Sequence, residues 1–400
     1  MTKSSSPTCY VALLRWIGCT GHAHELAAWF NDEIAAHARA ATFDFGRPLD
    51  VLTDIVRFAG AGSPLIRRTR TVVATLTAGQ KGLEEFFRSG CEVAQALAER
   101  LGSTASIVHA LGQVFERWDG RGWPRGISGE ELTVSARVVQ VAQDAVVFYR
   151  LGGTEAADAV TKERVGTIHD PAIAECFRRN ATRLLKSLEA RSVREAVLAA
   201  EPGVRPFLSE ERLERTLRAI ADFVDLKSPY TASHSSGVAE LAAASAARCG
   251  LPDSDVTSVR RAGFLHDLGR TGVPNGIWEK AGLLTEGEWE RVRLHPYLTE
   301  WILAHPAALA QLGALAALHH ERLDGSGYHR GLSAPMQPLP ARILAADAYH
   351  AMTESRPHRA AHSTDSAAEE LRREVRAGRP AGEAAEAVLE STGRRPRRRE

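Results

Sequence analysis

Apolar residues recur at spacings of three and four along most of the chain, as in Val238, Leu241, Ala242 and Ala246. That is the period of a helix with one buried face. Runs that alternate like a strand are scarce. The best of them, Thr71-Val72-Val73-Ala74-Thr75-Leu76-Thr77, is short and fits a helix equally well. Ala, Leu, Glu and Arg are abundant, and all four favour helices. The pattern predicts an all-α protein. It breaks at Glu201-Pro202-Gly203-Val204-Arg205-Pro206, where two prolines and a glycine fall together. Ser209-Glu210-Glu211-Arg212 then reads as a helix start, with acidic residues in the first turn. With 400 residues, the chain exceeds one ordinary core. We expect one domain over residues 1–200, a second over 207–390, and a tail over 391–400.

The two halves resemble each other. Residues 115–126, Phe115 to Gly126, match residues 320–331, His320 to Gly331. Downstream, Ala136-Arg137-Val138-Val139 leading to Asp144 matches Ala341-Arg342-Ile343-Leu344 leading to Asp347. Upstream, residues 12–18 match residues 263–269. The offset is 251 residues upstream and 205 in the middle, so the first half is 46 residues longer between those points. The copies differ in their polar residues. His266-Asp267 corresponds to Arg15-Trp16, His319-His320 to Val114-Phe115, and only Asp144 keeps the type of its partner, Asp347. The first half therefore reads as a degenerate copy without metal ligands.

Ten of the fifteen histidines follow residue 206. His266-Asp267 lies inside the apolar run 262–269, His319-His320 ends another, and Asp347 sits in a third. His234 opens a helix and His295 precedes Pro296. A buried polar group without a partner costs about 1–3 kcal/mol, and these residues could satisfy one another by sharing cations. Imidazole suits Fe, Mn, Zn or Ni, and a carboxylate beside it can bridge two ions. Adjacent His266 and Asp267 can address one spot only near a kink or with two ions, which makes Asp267 a bridging ligand. His305, His329, His358, His362 and the five histidines of the first half read as ordinary core or surface residues.

Bulk properties narrow the field less. Hydrophobic content of 44% and charged content of 25% are those of a soluble globular protein. A net charge of +1 gives no whole-molecule argument for nucleic acid or membrane. Only the run Arg394, Arg395, Arg397, Arg398 and Arg399 is strongly basic, and it offers a nucleic-acid contact by composition alone. Five dispersed cysteines form no CxxC pair, which suits free thiols in a reducing cytoplasm. The N-terminus has neither a membrane span nor a signal-peptide pattern, so a cytoplasmic location is expected.

With its motifs assembled, the second half resembles the HD-GYP family of HD-domain metal-dependent phosphohydrolases. The resemblance rests on His234-Ser235, on residues 265–274 around His266-Asp267, on Leu284 to Trp289, on His295-Pro296, on residues 319–328, and on Asp347 to Arg359. It implies two HD-domain-like helical bundles in tandem, the first degenerate and short of its opening helices. It further implies a bacterial signalling phosphodiesterase acting on cyclic di-GMP.

The implied metal ligands are His234, His266, Asp267, His295, His319, His320 and Asp347, holding two divalent ions, iron first. The family's three-metal members carry a Glu where this chain has Tyr230. Asp267 and Arg270 are the implied catalytic residues, and Arg270, Tyr328, Arg356 and Arg359 the implied substrate contacts. Three positions depart from the family pattern: Arg270 stands for a lysine, His329 for a proline and His350 for an aspartate. The segment 343–347 is one residue short, which in a continuous helix turns Asp347 by about 100°.

The alternative reading is a metal- or nucleotide-binding regulator without efficient hydrolysis, similar to tandem regulators that carry a helix-turn-helix domain after the second copy. A homodimer is one assembly that either reading allows.

Overall fold

The structure, a computed structural model, describes residues 5–393 except 62, 202–207 and 345. The basic run after Gly393, and the predicted break beyond Glu201, lie outside the described residues. The chain forms two compact units, Met1–Leu208 and Ser209–Glu400. Helices and turns make up both. Among the described residues there are only isolated bridges, such as Val165 to His169 and Asp324 to Ser333, and no strand. No helix is long and apolar enough to cross a membrane.

In the first unit, the ambiguous residues 71–77 lie within the helix Leu65–Arg100. Their threonines fit there because Thr75 donates to the Thr71 carbonyl at 2.8 Å and Thr77 to the Ala74 carbonyl at 2.9 Å. This helix kinks at Gly79, whose φ of +55° suits glycine. Ala94 and Ala98 on its far half pack with Val11, Leu111, Val114 and Val139 into a buried cluster. The 46 extra residues of this unit fall mainly in three short helices, Ala23–Phe30, Glu33–Ala40 and Pro48–Phe58.

In the second unit, Ser209 caps the helix Glu210–Asp225 by accepting the Arg212 N–H at 3.3 Å. Helices His234–Arg248 and Asp253–Leu265 pack closely: a Cβ on Gly263 would lie 2.6 Å from the Ala239 Cα. Their alanines, with Val259, Ile343, Leu344, Leu371 and Val388, form the main core. A second cluster of Leu217, Val224, Phe264, Leu265 and Leu303 lies below the His-Asp turn.

The internal resemblance has a structural counterpart. A Cβ on Gly269 would meet the His295 carbonyl oxygen at 1.9 Å, and a Cβ on Gly18 would meet the Gly90 carbonyl oxygen at 1.9 Å. The same close approach of a turn to a helix backbone therefore recurs, and it pairs ligand position His295 with Gly90. The loops match as well. Glu116 accepts the Arg125 N–H at 2.8 Å, and Glu321 accepts the Arg330 N–H at 2.7 Å.

Candidate metal centre

The helix Asp253–Leu265 ends immediately before His266, and Asp267 precedes a 3₁₀ turn, Leu268–Gly272. That junction is what lets adjacent residues face one spot. The Thr299 hydroxyl donates to the His266 carbonyl at 2.9 Å and accepts the Gly269 N–H at 2.8 Å, clamping the turn to the helix His295–Leu303. Asp347 joins from the start of the helix Ala346–Met352. The helix Leu339–Ile343 stops ahead of Leu344, so the phase of Asp347 is not carried on from it. Asp347 is buried, with Oδ1 3.1 Å from His234 Nε2 and 3.8 Å from His266 Nε2.

Asp267 serves two groups of histidines. Its Oδ2 lies 3.8 Å from His234 Nε2 and 3.6 Å from His266 Nε2. Its Oδ1 lies 3.4 Å from His295 Nε2 and 3.8 Å from His319 Nε2. His320 completes a group with His295 and His319.

Three imidazoles have a fixed orientation. His266, His295 and His319 donate Nδ1–H to the carbonyls of Gly263, Val292 and Ala316, at 2.7, 2.6 and 2.7 Å. A carbonyl can only accept, so Nδ1 carries a proton in each, and in the neutral ring Nε2 then turns a lone pair inward. Burial holds His295 and His319 neutral, pushing His295 down to about 3. His295 Nε2 and His319 Nε2 face each other at 3.1 Å, and His266 Nε2 has no hydrogen-bond partner. Lone pairs and carboxylate oxygens thus converge with few protons among them, and divalent cations fit that donor set.

The acids are held ionised. Burial alone would raise Asp267, but Arg270 and the surrounding histidines bring it well below the usual carboxylate range. Arg270 donates Nη1–H to Asp267 Oδ2 at 2.9 Å while its guanidinium lies 3.9 Å above the Trp278 ring. Burial works against charge on Asp347 as well, and contacts with His234, His266 and His320 outweigh it.

His234 differs from the other histidines. Burial would lower it, but Asp347 on Nε2 and Glu354 on Nδ1, the latter at 2.8 Å, raise it to about 10. Cation binding at Nε2 must therefore displace a proton.

Glu354 was not visible from the sequence. It lies past the end of Ala346–Met352, without an apolar context to mark it, and touches His234, His350 and Arg356. His350, read as a departure, lines up with it: Nδ1 is 3.3 Å from Glu354 Oε1. Asp225 was also missed. It is buried and accepts both the N–H and the hydroxyl of Ser235, at 2.9 and 2.7 Å, beside His234.

The four expected substrate contacts divide. Tyr328 lies with its ring 4.6 Å from that of His320. Arg270 stands at the cluster. Arg356 donates to the Tyr230 carbonyl at 2.9 Å and to Glu354 at 2.7 Å. Arg359 donates to the carbonyls of Ala351, Met352, Glu354 and Ala360, closing the end of a helix. His329 lies 3.8 Å from Glu300 and outside the histidine cluster.

Among the described residues of the first unit no such group gathers around Asp144. It accepts from Arg164 at 2.7 Å and pairs with His169 at 2.8 Å. The N-terminal histidines are not all ordinary, however: ligand atoms of Cys19, His22 and His37 lie within 4.8 Å of one another.

The chain matches the HD domain family over residues 77–162 and 218–379, so each unit contributes. It is 31% identical over 364 residues to a 3'3'-cGAMP-specific phosphodiesterase 3 of Vibrio cholerae, covering 90% of this chain and 79% of the relative. Over 194 residues it is 32% identical to a cyclic di-GMP phosphodiesterase of Thermotoga maritima, covering 47% of this chain and 52% of that one. The crystal structure of a cyclic GMP-AMP-specific phosphodiesterase of V. cholerae superimposes with a TM-score of 0.60 at 26% identity, over 98% of this chain and 97% of the other. A family match across both units, a relative aligned along nine-tenths of the sequence and a ligand set gathered in the second unit agree: the chain belongs to the HD-domain family, in its HD-GYP branch.

Proposed function

We propose that this HD-GYP-type phosphodiesterase hydrolyses a 3'3'-linked cyclic dinucleotide at the second unit, with two divalent ions as cofactors. The observation that carries this is the divided carboxylate of Asp267. Its Oδ2 faces His234 and His266, its Oδ1 faces His295 and His319, and Asp347 and His320 supply one further ligand to each group. These two groups would hold two divalent ions, and the family resemblance makes iron the first candidate among the metals that suit imidazole ligands. When bound, such ions supply Lewis-acid polarisation of a phosphoryl oxygen and acidify water.

The chain's own residues have separate tasks. Arg270 keeps Asp267 ionised and, from its seat over Trp278, has further N–H groups to offer a phosphate oxygen. Tyr328, with its ring beside His320, is placed to contact the bound dinucleotide. Glu354 fixes the His234 ring, and Arg356 ties Glu354 to the turn ahead of His234.

The relative aligned along most of the chain favours 3'3'-cGAMP as the first substrate to try, with cyclic di-GMP beside it. The test is anaerobically purified protein loaded with Fe(II) or Mn(II), assayed for linear dinucleotide. Turnover of either substrate that is lost on chelation is expected. Confirmed metal without hydrolysis of either would instead select a binding regulator.

A further inference from the structure

The first unit holds a half-open cavity of about 180 Å³ whose surface is mostly apolar, with Asp54, Glu116, Arg117, Gln140 and Gln143 among the polar residues on its wall. Arg15, Trp16, Val114, Phe115 and Asp144, the counterparts of five metal ligands of the second unit, all line it. The extra helices of this unit wall it with Trp29 and Phe30. Where His295 stands in the second unit there is Gly90, and a Cβ there would meet the His22 ring at 3.0 Å.

The Arg15 side chain is the anomaly. It is 7% exposed, its Nε and Nη1 have no hydrogen-bond partner, and no carboxylate among the described residues pairs with it. A buried, unmatched guanidinium is costly. Its neighbours are the faces of Trp16 and Phe115, at 4.8 and 5.9 Å. Asp144, whose charge reaches Arg15, is already held by Arg164 and His169. The Trp123 indole N–H, also on the wall, is a second donor without an acceptor, and Glu116 Oε2, Gln140 Oε1 and Gln143 Oε1 are wall acceptors without a donor. Cys19, His22 and His37 line the same space, but a divalent cation on them would add charge beside the unmatched guanidinium.

We propose that the first unit is a receptor for a small amphipathic monocarboxylate, its carboxylate on Arg15 and its apolar body among the aromatic side chains. An apolar cavity of roughly 150 Å³ holds benzene, so a body of about seven or eight carbons fits the volume. Recognition of a carboxylate by the planar fork of Arg, with apolar contacts around it, is the chemistry of such a site.

The experiment is calorimetric titration of the metal-loaded full chain with octanoate, with octanol and acetate as the uncharged and bodiless probes. Octanoate is expected to bind saturably at one site per chain, at least tenfold more tightly than either control. Arg15→Met should weaken it tenfold or more, and Arg15→Lys less. Ala36→Leu, which fills the cavity and keeps Arg15, should also weaken it, and it decides the matter should Arg15→Met fail to fold. Repeating the titration after chelation should leave the affinity unchanged, because a carboxylate held by the second unit's metals would be lost there. Absence of saturable octanoate binding would overturn the proposal. So would octanol binding as tightly as octanoate with Arg15→Met silent, or octanoate binding that disappears with the metal. Hydrolysis is not read, so the outcome is independent of the function proposed for the second unit.

Discussion

Asp144 and Asp347 occupy matching places in two related units, and their surroundings are opposite. Asp144 is closed by the permanent charge of Arg164 at 2.7 Å, with His169 beside it at 2.8 Å. Asp347 faces His234 and His266. An arginine cannot give up its proton, so its ion pair is final. Imidazoles can present lone pairs or give up a proton to a metal, so the charge of Asp347 is left for a cation. The difference between a structural acid and a ligand acid lies here in the neighbours, because the acid itself is the same.

The largest effect should come from attacking the open side of this comparison. Asp267→Asn is expected to lower turnover by roughly 10³-fold, given that metal activation is worth several kcal/mol, and to reduce bound metal below two ions per chain. Asp144→Asn is the matched control. Its metal content should stay at the wild-type level, while the melt reports a loss of about 3–5 kcal/mol from a broken buried pair. Metal loss from Asp144→Asn would break the comparison.

Next, Glu354→Gln should weaken metal affinity about 10–100-fold, the usual cost of losing a partner behind a histidine ligand. Competition with a chelator would read it, and an unchanged affinity would separate Glu354 from the centre. A smaller effect is expected for Arg359→Met. Losing its carbonyl contacts should cost about 1–3 kcal/mol of stability and leave metal content alone, and an unchanged melt with a raised KM would return Arg359 to the substrate.

The last test concerns the shape of a curve. Burial raises Asp225 to about 6 in the metal-free protein, against 3.8 ordinarily. The folded state then holds the proton more tightly than the unfolded one, so that contribution to stability is full below about 4 and lost as pH rises through about 6. Asp225→Asn should flatten this part of the stability profile in denaturant titrations. An unchanged slope would place the titration elsewhere.

The sequence made the centre legible because its ligands are the wrong residues for their surroundings. His266, Asp267 and Asp347 interrupt apolar helical runs, and nothing short of a shared partner excuses them there. Glu354 and His350 gave no such signal, since one follows a helix end among polar residues and the other replaces an expected acid. The carbonyl contacts of Arg359 gave no signal either, because a cation in a family motif looks the same whether it meets phosphate or backbone carbonyls. The helical character of residues 71–77 was left open by their pattern and settled by threonine hydroxyls bonding back along the helix. Arg15 could be aligned with His266, but its isolation inside an aromatic cavity depends on the three-dimensional wall.

The close approach at Gly18 and Gly269 bears on how such a pair of units can diverge. In each, the turn presses its α-carbon against a carbonyl of the neighbouring helix, so the contact is main chain against main chain. Nothing in that contact asks what side chain the carbonyl-bearing residue carries. A histidine at 295 and a glycine at 90 are equally compatible with it. The scaffold that aims the ligands is therefore mechanically separate from the ligands, and a duplicated unit can exchange imidazoles for aromatic rings and a guanidinium without first losing its turn.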